Sequence, residues 1–177
     1  MSKPIVYVDM EGTILTTKAR VEYYDLIEGD IIRQTVADNK KTINYWRKKG
    51  KTLKSDPNLM VIPRPNIKRS LSRLAKHTDL ILLSGASYNS ILESITILGL
   101  DIFQSVYNTY DSASMRRPMN EDYWLIDDTY NVDKLKIIDP TASTAHLMEV
   151  APYEGRHVDR HFDLVVDQIF LLIDGTI

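Results

Sequence analysis

The sequence contains no cysteine. This excludes disulfides, thiolate metal sites and a cysteine nucleophile, and it is compatible with a reducing compartment. Neither charge sign is in excess: 22 Lys and Arg stand against 24 Asp and Glu, a net of -2. Overall charge therefore does not point to a nucleic-acid or membrane-surface protein. No apolar run approaches the roughly 20 residues of a membrane span. The N-terminal MSKPIVYV lacks the apolar core of a signal peptide, and there is no internal repeat or low-complexity tract. The expectation is a soluble, cytoplasmic protein. What the chain does have is apolar mass, 44% of its 177 residues. That is enough to build the core of one domain spanning residues 1–177, with room for a small insert.

Pro4 to Val8 reads as a short buried strand, apolar and β-branched, with turn chemistry after it. Pro63 and Pro65 disfavour helix before them, and Asn66 can cap a helix running to about His77, with Ile67, Leu71 and Leu74 at helical spacing. Asp79 to Leu83 is a second buried strand, ending at Ser84-Gly85. A second helix is expected from about Tyr88 to Leu98, with Gly99 at its C-cap. Asp101 to Tyr107 reads as a third strand or its approach, and Tyr123 to Ile126 as a fourth, ending in Asp127-Asp128. Leu135–Ile138 and His146–Val150 are weaker strand candidates, and a helix from about Val158 to Ile173 closes the chain.

Strands alternating with helices predict an α/β fold, a Rossmann-like open parallel sheet with helices on both faces. Residues 15–60 break the alternation and read as a small cap insert after the first strand. Within it, a hairpin is expected over Arg20–Val36, about Glu28-Gly29-Asp30, and a helix over Lys40–Lys49.

Ligands of such sheets bind beyond the carboxyl ends of the strands, which directs attention to IVYVDMEGT. Residues i and i+2 of an extended chain point the same way, so Asp9 and Glu11 can share a pocket past the first strand. Two carboxylates so close need a cation between them, or one must keep a proton. Mg²⁺ is suited to this, being a hard ion that takes oxygen ligands and few carboxylates, and Asp127 and Asp128 add carboxylate to the same edge. The set suits phosphate esters. A carboxylate attacks phosphorus, and a neighbouring acid protonates the leaving oxygen and then activates water. Gly12 lets the backbone approach the ligand, Ser84 can hold a phosphate oxygen, and Thr13 and Gly85 beside them complete the candidate phosphate contacts. A positive side chain is still required, and Arg116 and Arg117 are the candidates.

These residues resemble the haloacid dehalogenase superfamily of aspartate-nucleophile phosphatases. Its four motifs correspond to VYVDMEGT, LILLS, a basic residue before the last site strand, and YWLIDD, in the expected order over roughly residues 4–130. The resemblance implies one domain of that type. Asp9 becomes nucleophile and metal ligand, and Glu11 the general acid/base whose backbone carbonyl also binds the metal. Ser84 binds phosphate, and Asp127 and Asp128 hold Mg²⁺ directly or through water.

Two departures stand out. The usual second aspartate is Glu11, as in the DxEGT motif of the superfamily's enolase-phosphatases. No Lys lies between Ser84 and Asp127, so Arg117 is the substitute expected for the usual lysine. PRPNIKRSLSRL and the motifs after it resemble the small-capped 5'-nucleotidases and deoxyribonucleotidases. They also resemble the phosphatases acting on the carboxyl-terminal tail of RNA polymerase II.

Each feature has a plainer reading. Asp9-x-Glu11 alone could be a solvated turn, Asp127-Asp128 a helix cap before Thr129, Ser84-Gly85 an ordinary turn and Arg116-Arg117 a solvated loop. The basic run Lys40–Lys54 could be a solvated face or could steer an anionic substrate. Tyr45 and Trp46 could stack on a base or anchor the cap. His157 and His161 have the spacing of one helix face, which metal sites exploit. The expected function is Mg²⁺-dependent hydrolysis of a small phosphorylated metabolite, a nucleoside monophosphate being the leading choice. A phosphoprotein or nucleic-acid end phosphate is the enzymatic alternative, and a catalytically silent member binding a phospho-ligand or partner is the non-enzymatic one.

Overall fold

A computed structural model describes residues 2–19, 49–155 and 159–175. Strand β1 (Ile5–Val8) is apolar throughout and wholly buried, as a strand with neighbours on both edges and helices on both faces must be. The hairpin strands β2 (Leu15–Ala19), β3 (Lys51–Thr52) and β4 (Leu59–Pro63) follow. Then come α1 (Ile67–His77), β5 (Asp79–Ser84), α2 (Tyr88–Ile97), β6 (Ser105–Asn108) and β7 (Tyr123–Asp127). Helix α3 (Val132–Ile138), β8 (Leu147–Glu149) and α4 (His161–Gly175) complete the order.

The main sheet runs β6-β5-β1-β7-β8, with every pairing parallel. Val8 is level with Leu82 on one side and Ile126 on the other. β1 therefore delivers Asp9 to the carboxyl edge between β5 and β7, where the chain order reverses. The two faces follow the strand period of two. Val6, Val8, Leu80, Leu82, Trp124 and Ile126 pack with residues of α1, α2 and α4, whereas Ile5, Tyr7, Ile81, Leu83 and Leu125 pack with Leu135 and Ile138 of α3.

The open α/β sheet with helices on both faces is thus as the sequence implied, and β8 falls within His146–Val150. The reading of Leu135–Ile138 as strand is corrected: these residues end α3. Asn131 caps that helix through a bond from Lys134 N (2.9 Å), and Leu135 and Ile138, three apart, form its buried side. Four apolar residues are too few for periodicity to separate strand from helix. Asn66 stands at the start of α1 but makes no side-chain cap; it sits at φ 60°, and its carbonyl accepts from Ser70 N.

The two ends of the expected insert pair with each other. β2 and β4 are antiparallel from Leu15–Pro63 to Ala19–Leu59, and β3 adds to the far edge of β4. The hairpin expected over 20–36, nearly all of the 40–49 helix, Tyr45, Trp46 and His157 lie outside the described residues. Among the described residues no helix is long and apolar enough to cross a membrane.

Candidate active site

Asp9 is 7% exposed, at the end of β1. Its Oδ1 lies 2.7 Å from Lys134 Nζ, and its Oδ2 lies 3.0 Å from Thr13 Oγ1. The Thr13 hydroxyl also lies 3.2 Å from Asp128 Oδ1 and accepts from Asp128 N at 3.1 Å. Having one proton, it can donate to only one of the two carboxylates at a time. Asp127 is 1% exposed. Its Oδ1 accepts from Thr129 N and Oγ1. Its Oδ2 is 3.1 Å from Lys134 Nζ, in an ion pair whose angles leave this buried oxygen without a hydrogen bond.

Lys134 is not among the cations expected from the sequence, which lie between Ser84 and Asp127. It enters from the other side, in the first turn of α3, seven positions after Asp127, and is 8% exposed. Asn131 is a recognisable helix cap, and a Lys in the turn it starts, directly after two strand-end carboxylates, was the available signal. Burial by itself would lower the Lys134 pKa, but Asp9 and Asp127 outweigh it and raise it.

The structure takes both arginines away from this cluster. Arg116 pairs with Asp79 (2.6 Å), the first residue of β5, at the opposite edge of the sheet. Arg117 is exposed and donates to the carbonyls of Ile137, Ala113, Met115 and Ser112. Ser84 is buried at the end of β5, with its hydroxyl accepting from Ala86 N (3.2 Å), and Gly85 is exposed beside it.

The Glu11 carboxylate is not with the other three. It accepts from Thr16 Oγ1 (3.1 Å), Thr17 N (2.8 Å) and Thr17 Oγ1 (2.8 Å), which hold it on β2. Gly12 has φ +75°, and a Cβ there would lie 2.3 Å from Asp128 Oδ2. The missing side chain is what lets Asp128 lie against the loop. Gly12→Ala should therefore cost about 1–2 kcal/mol in φ strain and displace Asp128. Thermal denaturation and a Mg²⁺ titration of the variant test both.

The loop is also fixed from beneath. Arg64, 1% exposed, forms a forked pair with Asp159 and donates to Thr13 O (3.0 Å) and Ala151 O (2.6 Å). Tyr153 N donates to Gly12 O (2.7 Å).

Asp9, Asp127 and Asp128 each offer one oxygen, all within 4.8 Å of one another. One ammonium, against Asp9 and Asp127, is set among three carboxylates, and Asp127 Oδ2 is without a hydrogen bond. Burial, then the hydrogen bond and charge of Asp9, then Asp127, push the Asp128 pKa from 3.8 up to about 7. A hard dication fits this donor set.

The pH dependence of the metal-free protein follows. Folded Asp128 holds its proton more tightly than unfolded Asp128, so its stabilising contribution is complete below the unfolded value of 3.8 and is lost as pH rises towards about 7. Denaturation in chelator between about pH 4 and about pH 7 should show that decline, and Asp128→Asn should flatten it.

No protein-family model and no curated protein sequence matches the chain. Solved structures do. A structure of the fission yeast RNA polymerase II CTD phosphatase Fcp1 bound to beryllium fluoride superposes with a TM-score of 0.57 at 15% identity, over 97% of this chain and 50% of that one. This chain therefore spans about half the length of that protein. A haloacid dehalogenase-like family hydrolase from Xanthomonas campestris gives 0.56 at 12% identity, over 97% and 92% of the two chains. A HAD-superfamily hydrolase from Ehrlichia chaffeensis gives 0.54 at 13% identity, over 98% and 99%. The fold is that of the haloacid dehalogenase superfamily hydrolases.

Proposed function

We propose that the protein is a Mg²⁺-dependent phosphomonoesterase working through an aspartyl-phosphate. The observation that carries this is Asp9 at the carboxyl end of the central strand, held by Lys134 and grouped with Asp127 and Asp128. Asp9, Asp127 and Asp128 would hold Mg²⁺, which when bound supplies positive charge against the phosphate oxygens.

In the first half-reaction an Asp9 oxygen attacks phosphorus. The bond from phosphorus to the ester oxygen breaks, and Glu11, turned in from Thr16 and Thr17, gives that oxygen its proton. In the second half-reaction Glu11 takes a proton from water. The water oxygen attacks phosphorus, and the acyl-phosphate bond breaks to free phosphate and Asp9. Lys134 holds the Asp9 carboxylate in orientation, and the Ser84 hydroxyl and the backbone at Gly85 would contact the phosphoryl oxygens, with Gly12 and Thr13 shaping the loop beside them.

For the substrate, a small phosphorylated metabolite such as a nucleoside monophosphate is favoured by the basic, aromatic-bearing run Lys40–Lys54. A phosphoprotein is the second reading, supported by the likeness to Fcp1. The test is phosphate release from 5'- and 3'-nucleotides, sugar phosphates and a phosphopeptide, with Mg²⁺ and with chelator. Mg²⁺-dependent release supports the proposal, and the preferred ester names the class. No release from any of them by folded protein favours a silent phospho-ligand binder.

A further inference from the structure

A cavity of about 610 Å³ opens between β3, the β4–α1 junction and the end of α2. Among the described residues, none of the three clustered carboxylates lines it, and neither does any other acidic residue. Its cations are Lys49, Lys51, Lys68 and Arg69, all exposed, together with the buried Arg64. Arg64 is neutralised by Asp159, and Arg73, one turn further along α1, is paired with Asp167. Lys49, Lys51, Lys68 and Arg69 have no carboxylate partner among the described residues.

Four unpaired positive charges around one concavity repel one another. They focus a positive potential into a space of the size that takes small ligands. The first turn of α1, which opens into the same space, carries no acidic residue to offset the charge. Pro63, Ile97, Leu98 and Leu100 give the cavity an apolar wall.

We infer that this cavity binds a phosphorylated, multiply charged anion at a site separate from the carboxylate cluster. Several cations of both Lys and Arg type match the charge and oxygen count of a diphosphate or a phosphate ester better than those of a single carboxylate. Arg64 connects the two places. It lines the cavity, and it donates to the carbonyl of Thr13, whose hydroxyl touches Asp9 and Asp128. The anion is either a second phosphoryl group of the substrate or a separate effector.

Pyrophosphate is the probe, titrated calorimetrically at low salt into the full chain in chelator. Without metal the carboxylate cluster repels anions, so the titration reads the cavity whether or not the protein hydrolyses esters. Saturable binding is expected. The double variant Lys68→Ala/Arg69→Ala should weaken it by about tenfold or more, while Lys76→Ala, an exposed Lys at the other end of α1, leaves it unchanged. Lys68 and Arg69 are exposed, so the double variant should keep its far-ultraviolet circular dichroism.

Absence of binding overturns the inference. So does binding that the double variant leaves intact, or that Lys76→Ala weakens equally. Where binding is found, turnover separates its sources. A rise in KM confined to bisphosphorylated esters in the double variant assigns the site to substrate. An unchanged KM with pyrophosphate binding lost assigns it to an effector.

Discussion

Asp9→Asn should abolish phosphate release, by roughly 10³-fold or more in kcat, with the protein still folded. The carboxamide has nearly the shape of the carboxylate: its oxygen can accept from Lys134 while its nitrogen donates to the Thr13 hydroxyl, whose own proton then goes to Asp128. What is lost is the nucleophilic oxygen and the charge. The charge loss affects the neighbours in a direction that can be measured. Asp128 no longer faces an ionised Asp9, one of the groups that raise its pKa. The variant's metal-free stability should therefore decline less between about pH 4 and about pH 7 than that of the wild type. Lys134 keeps Asp127 as its counter-ion, so no buried charge is stranded. Single-turnover phosphate release and thermal denaturation against pH read the two consequences separately. A folded Asp9→Asn protein that still turns over at a substantial rate would remove Asp9 as nucleophile. Loss of turnover through unfolding would appear in the denaturation curve.

The parts of this site that were legible in the sequence are those set by strand ends. IVYV and YWLI read as buried strands because they are rich in β-branched and aromatic residues and bounded by turn chemistry, and in a parallel sheet their carboxyl ends meet, so Asp9, Asp127 and Asp128 could be grouped in advance. Gly12 was legible as a close-approach position, and the 2.3 Å that a Cβ would leave to Asp128 gives the physical reason. Three features were not legible. Glu11 lies on β2 because Thr16 and Thr17, five and six residues on, bring three donors to it; an i, i+2 rule for a straight strand does not anticipate a chain that doubles back at Gly12. Arg64 looked like part of a proline-rich helix start. Its role depends on Asp159, 95 residues away, and on the carbonyls of Thr13 and Ala151, which no local pattern encodes. Lys134 was hidden because Leu135–Ile138 read as strand, which left no helix turn to carry the Lys back to the sheet edge.

Lys134→Met should cost about 3–5 kcal/mol of stability in chelator, because it leaves buried carboxylates without their counter-ion. Met approximates the lysine stem, so the loss is mainly electrostatic. Asp127 Oδ2, already without a hydrogen bond, then has no cation either, and Asp9 Oδ1 loses its 2.7 Å partner. The deficit should grow above about pH 7, where Asp128 also ionises. Added Mg²⁺ should return part of it, since any cation between the three carboxylates relieves the same repulsion. Turnover should still fall by about 10²-fold or more, because Mg²⁺ does not replace the ammonium that orients Asp9. Lys134→Arg keeps the charge but not a compact donor that can reach Asp9 and Asp127 from one nitrogen, so it should recover stability better than rate. Arg117→Ala is the control that separates the two candidate cations. Arg117 is exposed and bonded only to carbonyls, so its loss should leave kcat within about twofold and stability within about 1 kcal/mol. Denaturation in chelator and in Mg²⁺, with kcat for all three variants, measures this. Loss of rate in Arg117→Ala but not in Lys134→Met would return the role to the arginine.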